Sequence, residues 1–134
     1  ITSVKVAIEI TPNNLTLFFQ LGLLQYNDKN YSEAVTALSK AVELNSQYAN
    51  ARYFLGLSQA RLGNNAQAIE QFTELKKTNP DNAEVNFILS NLEEGKSPFA
   101  DAKPPIDSKP EKRKDLPVQE KTTEKSTSKA KAND

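Results

Sequence analysis

The chain has 134 residues, with 17 Lys and Arg against 17 Asp and Glu, and it contains no Cys and no His. The missing thiols exclude disulfides and thiolate metal sites, and the missing imidazoles remove the commonest catalytic base and metal ligand. The neutral total conceals two unlike parts, since residues 1–95 carry a net charge of −3 and residues 96–134 a net charge of +3.

In chain order, Ile1, Val4, Ala7 and Ile8 form a helical stripe. That helix is expected to end near Ile10, because Pro12 disfavours helical geometry at Thr11. Residues 15–26 place Leu17, Phe18, Leu21, Gly22 and Leu24 on one helical face, with Phe19, Leu23 and Tyr26 on a second flank. Polar residues 27–30 break the pattern, and Asn30 with Glu33 has the form of a capping box. The next helix, residues 31–44, carries Ala34, Val35, Leu38, Ala41 and Val42. A helix over residues 49–62 follows, closed by Gly63 in the left-handed conformation, with Asn64 and Gln67 as the cap and box partner of its successor. That successor ends before Pro80. Asp81 and Glu84 are expected to cap a last helix, residues 83–94, burying Val85, Leu89 and Leu92, with Ile88 beside that face, and stopped by Gly95 and Pro98.

Residues 96–134 hold five of the seven prolines and one aromatic, Phe99. This composition offers little apolar surface to offset the entropy of ordering, so a disordered tail is expected. Lys112, Arg113 and Lys114 suggest an anion-binding patch, but the interleaved Glu111, Asp115, Glu120 and Glu124 argue for a solvated segment and against nucleic acid. No apolar run approaches the ~20 residues of a membrane helix.

The helices repeat with a period of 34 residues. Leu21-Gly22, Leu55-Gly56 and Leu89-Ser90 share one grid position; Ala34-Val35 and Ala68-Ile69 share another; Phe19, Tyr53 and Phe87 a third; Pro12 and Pro80 stand two periods apart. A helix of about 13 residues is marginal alone, and a helix pair leaves a flank uncovered, so such units must stack. The grid divides the chain into residues 1–14 (the second half of a repeat), 15–48, 49–82 and a terminal helix, 83–95, ahead of the tail. The expected fold is all-α: an α-solenoid of antiparallel helix pairs, about six helices in all, with an uncovered N-terminal face. Opening in mid-repeat predicts a fragment of a longer protein.

Two helices per 34 residues, with Leu-Gly in the first, Ala-hydrophobic in the second and Pro at the end, resembles the tetratricopeptide repeat. The resemblance covers residues 1–95 and is strongest at Ala49, Tyr53, Leu55, Gly56, Gly63, Ala68, Phe72 and Pro80. Departures are Phe18, Arg52 and Asn86 at the Trp position, Ser46 for the terminal Pro of the first full repeat, and Leu75 where Ala is usual. The family implies a protein-interaction scaffold rather than an enzyme, with no cofactor and no metal. It also implies a concave groove lined from the fifth, ninth and twelfth repeat positions: Phe19, Leu23 and Tyr26; Tyr53, Leu57 and Ala60; Phe87, Asn91 and Glu94. Of these, Phe19, Leu23, Tyr26, Tyr53, Leu57, Phe87 and Asn91 are the candidate peptide-groove residues, an apolar and aromatic strip suited to an apolar peptide. The Phe19, Tyr53 and Phe87 rungs are expected to stand off the main buried stripe. Chaperone-binding members hold a peptide carboxylate with a Lys, Asn and Arg clamp, which Phe19 and Leu23 displace here; Asn91 and Arg61 are expected at the surface. A C-terminal acidic peptide is therefore not the expected ligand. The alternative expectation is the accessory C-terminal repeat region of a larger bacterial membrane or cell-envelope protein. Partner identity and compartment are not legible in the sequence.

Overall fold

Five helices follow one another through the repeat region of the computed structural model, which describes residues 14–120. They are α1 (Leu15–Asn27), α2 (Tyr31–Leu44), α3 (Ala49–Arg61), α4 (Asn65–Thr78) and α5 (Ala83–Glu93). The helix expected within residues 1–10 lies outside the described residues. Each helix packs against the next, and the first helices α1 and α3 also touch. Short connections make neighbours antiparallel, so the array is a stack of helix pairs, all-α as the grid predicts. Among the described residues there is no strand, and no helix is long and apolar enough to cross a membrane.

The helix ends show how local chemistry sets these bounds. Asn14 and Asn82 are the side-chain caps, accepting the N–H of Leu17 at 3.1 Å and of Val85 at 2.9 Å. Asn30 and Asn64 occupy N-cap positions but make no side-chain capping bond, so neither capping box forms. Asn30 instead donates to Gln25 Oε1 at 2.9 Å. At the other end, α1, α3 and α5 share one closure. Asn30 N–H reaches Gln25 O, Asn64 reaches Gln59 O and Lys96 reaches Asn91 O, each at 2.8 Å. Lys29, Gly63 and Gly95 supply the positive φ this requires, at 65°, 86° and 78°. Gly63 and Gly95 thus act as expected.

The grid's Leu-Gly position is where the two helices of a pair approach most closely. A Cβ on Gly56 would stand 2.6 Å from Phe72 Cε2, and one on Gly22 would collide with Leu38 in the same way. Gly56 lets α4 lay Phe72 directly on the α3 backbone. The core continues through Leu38, Ala41, Phe54, Leu55, Leu75, Val85, Ile88 and Leu92, all buried. At the start of the array, Phe18, Leu21, Ala37 and neighbours on α1 and α2 line an apolar hollow of about 370 Å³.

Residues 96–120 contain turns and one 3-10 turn, Pro110–Lys112. Average composition anticipates that lack of regular structure, yet these residues do not trail away from the helices. Pro98, Pro110 and Val118 are buried, and Val118 belongs to the same apolar cluster as the repeat core. A few well-placed groups anchor the segment, which a count over all of residues 96–134 averages away. Residues 121–134 of the expected tail lie outside the described residues.

Gly56→Leu is expected to overpack the α3–α4 contact and cost about 1–3 kcal/mol. Thermal unfolding measures this, and an unchanged melting temperature would contradict the contact.

Candidate functional site

The first helices of the pairs, α1, α3 and α5, share one side of the array, and residues 96–120 return across it. The return begins where α5 ends. Asn91, buried rather than surface-exposed as its position suggested, donates through Nδ2 to Pro98 O at 2.9 Å and Ala100 O at 3.1 Å. The chain then reaches the C-terminal ends of α1 and α3, where its 3-10 turn touches α1. There Lys109 and Glu111 border a cavity of about 260 Å³ together with Tyr26, Tyr31 and Arg61. It next runs back to the N-terminal ends of α5 and α3, antiparallel to α3.

Four contacts hold that last stretch, one of them Asn82 Nδ2 donating to Pro117 O at 3.3 Å. Arg113 donates to Glu84 Oε1 at 2.6 Å and to Asp107 O at 2.8 Å. Glu84 also accepts a hydrogen bond from the Tyr53 hydroxyl. The Asn50 amide reads both sides of the Val118 backbone, donating to its carbonyl at 2.6 Å and accepting its N–H at 2.9 Å. Finally Glu120 seats its carboxylate on the start of α3, accepting from Ala49 N–H at 2.8 Å, Asn50 N–H at 2.9 Å and Asn50 Nδ2 at 2.6 Å. The first turn of α3 has no acidic residue, and Tyr48 at its N-cap makes no capping bond. A carboxylate from 71 residues away therefore meets the exposed amides and the positive end of the helix dipole.

The sequence-named groove residues fall into three groups. Phe19, Tyr26, Tyr53 and Leu57 are buried. Contrary to the expectation that the aromatic rungs stand off the buried stripe, Phe19 lies 4.8 Å from the Tyr48 ring and Tyr53 lies 5.5 Å from Phe72. The reason is Phe54, which touches Phe19, Tyr26 and Tyr53 and draws them into one aromatic cluster between repeats. Leu23 and Phe87 are only partly buried against the hydrophobic core, and Asn91 is engaged by residues 98 and 100. The residues that sequence reasoning missed are Asn50, Glu84, Arg113, Val118 and Glu120. Glu84 was expected to act as part of a helix cap, and Arg113 as part of a solvated charge run. The uncapped first turn of α3 was the legible hint. Here a side-chain carboxylate, that of Glu120, is held by backbone amides and Asn50. Among the described residues no three acidic side chains converge as metal ligands would.

Burial raises the Tyr26 phenol to about 12, against the opposing charge of Arg61. Burial also raises Tyr53 well above the ordinary tyrosine value, and Glu84 adds to it through charge and hydrogen bonding.

The family model described as tetratricopeptide repeat matches residues 19–94. Anaphase-promoting complex subunit 3 of Schizosaccharomyces pombe is 29% identical over 86 residues, covering 64% of this chain and 13% of that protein. Superkiller protein 3 of the same organism is 30% identical over 73 residues, covering 54% of this chain and 5% of that protein. The chain thus spans a small part of the length of either relative.

Because both phenols are held neutral in the folded state, their contribution is full below the unfolded value of 10.0 and is lost as pH rises beyond it. Tyr26→Phe is expected to flatten the fall in unfolding free energy between pH 10 and about 12, by up to about 2–3 kcal/mol. Denaturant titrations across that range measure the slope, and parallel curves would contradict the assignment.

Proposed function

The chain belongs to the tetratricopeptide repeat family, and from that membership we propose that it is a protein–protein interaction module that takes a peptide segment on the side formed by α1, α3 and α5. The observation that supports this most is that this side already accommodates a non-helical stretch of chain, residues 113–120, through main-chain and side-chain bonds to Asn50, Ala49 and Glu84. One relative is by name a subunit of a complex, and a role in holding an assembly together is the reading carried over to this chain. We assign it no catalytic step.

In this reading the candidate groove residues divide their work. Phe19, Tyr26, Tyr53 and Leu57 form a rigid floor, ordered before any partner arrives, so binding does not have to immobilise them. Leu23 and Phe87, partly exposed at its two ends, are the anchor points for apolar side chains of the partner, with Asn91 fixing the adjoining turn.

Leu23→Ala and Phe87→Ala are each expected to weaken binding of a partner captured by the full chain by about 2 kcal/mol, with little change in melting temperature. Leu55→Ala, in the core at 3% exposure, serves as the packing control. Equal loss of stability in all three variants, with binding unchanged after correction for the folded fraction, would remove the groove assignment.

A further inference from the structure

We propose that Asn50, Glu84 and the first two amides of α3 form a recognition site for a peptide of the pattern Arg-x-x-x-x-Val-x-Glu, and that residues 113–120 occupy it in cis as a displaceable competitor. This rests on the reading of the α1, α3 and α5 side as an interaction surface, and adds the chemistry of what binds there.

Each element of the pattern corresponds to a group on the page. Asn50 is 1% exposed, and its amide satisfies both the N–H and the C=O of Val118. That two-way bond reads the main chain of Val118 and is indifferent to its side chain. The apolar position comes from the Val118 side chain, which is 2% exposed within the core cluster. The carboxylate two residues on takes two backbone N–H groups and the Asn50 amide at the positive end of α3, a helix with no acid in its own first turn. Five residues before the valine, the guanidinium meets Glu84, whose carboxylate is oriented by the Tyr53 hydroxyl. Arg113 and Glu84 are both largely shielded, their side chains 20% and 10% exposed, so the pair is less screened than a surface pair.

The same stretch has the marks of a segment that can leave. Lys112, Lys114, Asp115, Leu116 and Gln119 are exposed, so the anchors are few and separated. The link back to α5 is turn-rich, and residues 103–105 and 107–109 are exposed. A tethered segment of this kind competes at an effective concentration on the order of millimolar. A partner presenting the same groups must exceed that, so docked tail and bound partner exclude one another. Segments anchored at few points open at low free energy compared with the core.

The experiment uses a fluorescent peptide with the sequence of residues 110–120, the full chain, and a full-chain release variant carrying Arg113→Ala, Val118→Asp and Glu120→Ala. The release variant is expected to bind the peptide at least tenfold more tightly than the parent chain. In that background Glu84→Gln, which keeps an acceptor for Tyr53, and Asn50→Asp, which sets a like charge against the peptide carboxylate, should each lose at least tenfold. Peptides with the Arg replaced by Ala or the Glu by Gln should bind more weakly by a similar factor. A second measurement needs no variant to fold. Millimolar peptide added to the parent chain should shift the Ala49 and Asn50 amide resonances saturably, and the absence of any shift overturns the proposal. A release variant that ignores the peptide while still binding a partner through Leu23 and Phe87 overturns the proposal and leaves the interaction-module reading standing. Peptide binding with no effect of Leu23→Ala or Phe87→Ala on the captured partner does the reverse. A parent chain that runs as a dimer in light scattering, and becomes monomeric when the tail is released, overturns the assignment in cis.

Discussion

The structure depends on what a helix pair cannot do alone, which is to cover both of its apolar sides. Phe54 resolves this at the centre of the array. It is fully buried, with ring centroids 5.1 Å from Tyr53, 5.5 Å from Tyr26 and 6.4 Å from Phe19. One ring thereby ties the first helix of one repeat to the first helix of the next. Gly22 and Gly56 perform the complementary task within each pair, letting Leu38 and Phe72 rest on bare backbone. Close approach inside the pair and aromatic interlock between pairs together set the spacing, and the side carrying α1, α3 and α5 is a consequence of both.

Against that scaffold, residues 96–120 add contacts of a different kind. The helices are held mainly by apolar burial, whereas the returning segment is held at discrete polar points together with a few buried apolar groups, Pro98, Pro110 and Val118. Its position at the start of α3 makes physical sense, because a helix with no local cap leaves amides to be satisfied and a positive end to be neutralised. Its Arg113 similarly balances Glu84, a carboxylate that would otherwise be confined beside the buried Tyr53 with a hydroxyl for company. Tail and repeats therefore complete each other's electrostatics, and this complementarity gives the surface chemical selectivity beyond apolar area.

Much of the helical architecture was legible in the 34-residue grid. Residues 31–44 were bounded as observed, and the other described helices to within a residue or so, because Pro80, Gly63 and Gly95 act on the backbone locally. The close approach at Gly56 was equally readable, since only glycine admits a ring at that distance. The capping boxes were not, as the Asn30 side chain does not accept from the first turn of α2 and instead donates to Gln25, a residue five positions earlier that is brought into reach by the closing turn of α1. The rungs Phe19 and Tyr53 were placed on the correct helices but with the wrong burial. The repeat pattern does not announce Phe54, because its grid equivalents are Gln20 and Ile88 rather than aromatics.

The sequence by itself determined the quantities that recur: helix number and bounds within the repeats, the order of stacking, and the family. These follow from periodicity and from residues whose backbone preferences act over a single turn. Only the tertiary structure decided which side of the array is covered and by what. Asn50 and Val118 are 68 residues apart, Ala49 and Glu120 71, and Glu84 and Arg113 29. No local propensity encodes such pairings, because each depends on where the stacked helices place an unsatisfied amide or a buried carboxylate, and on a nonrepetitive segment long enough to reach it.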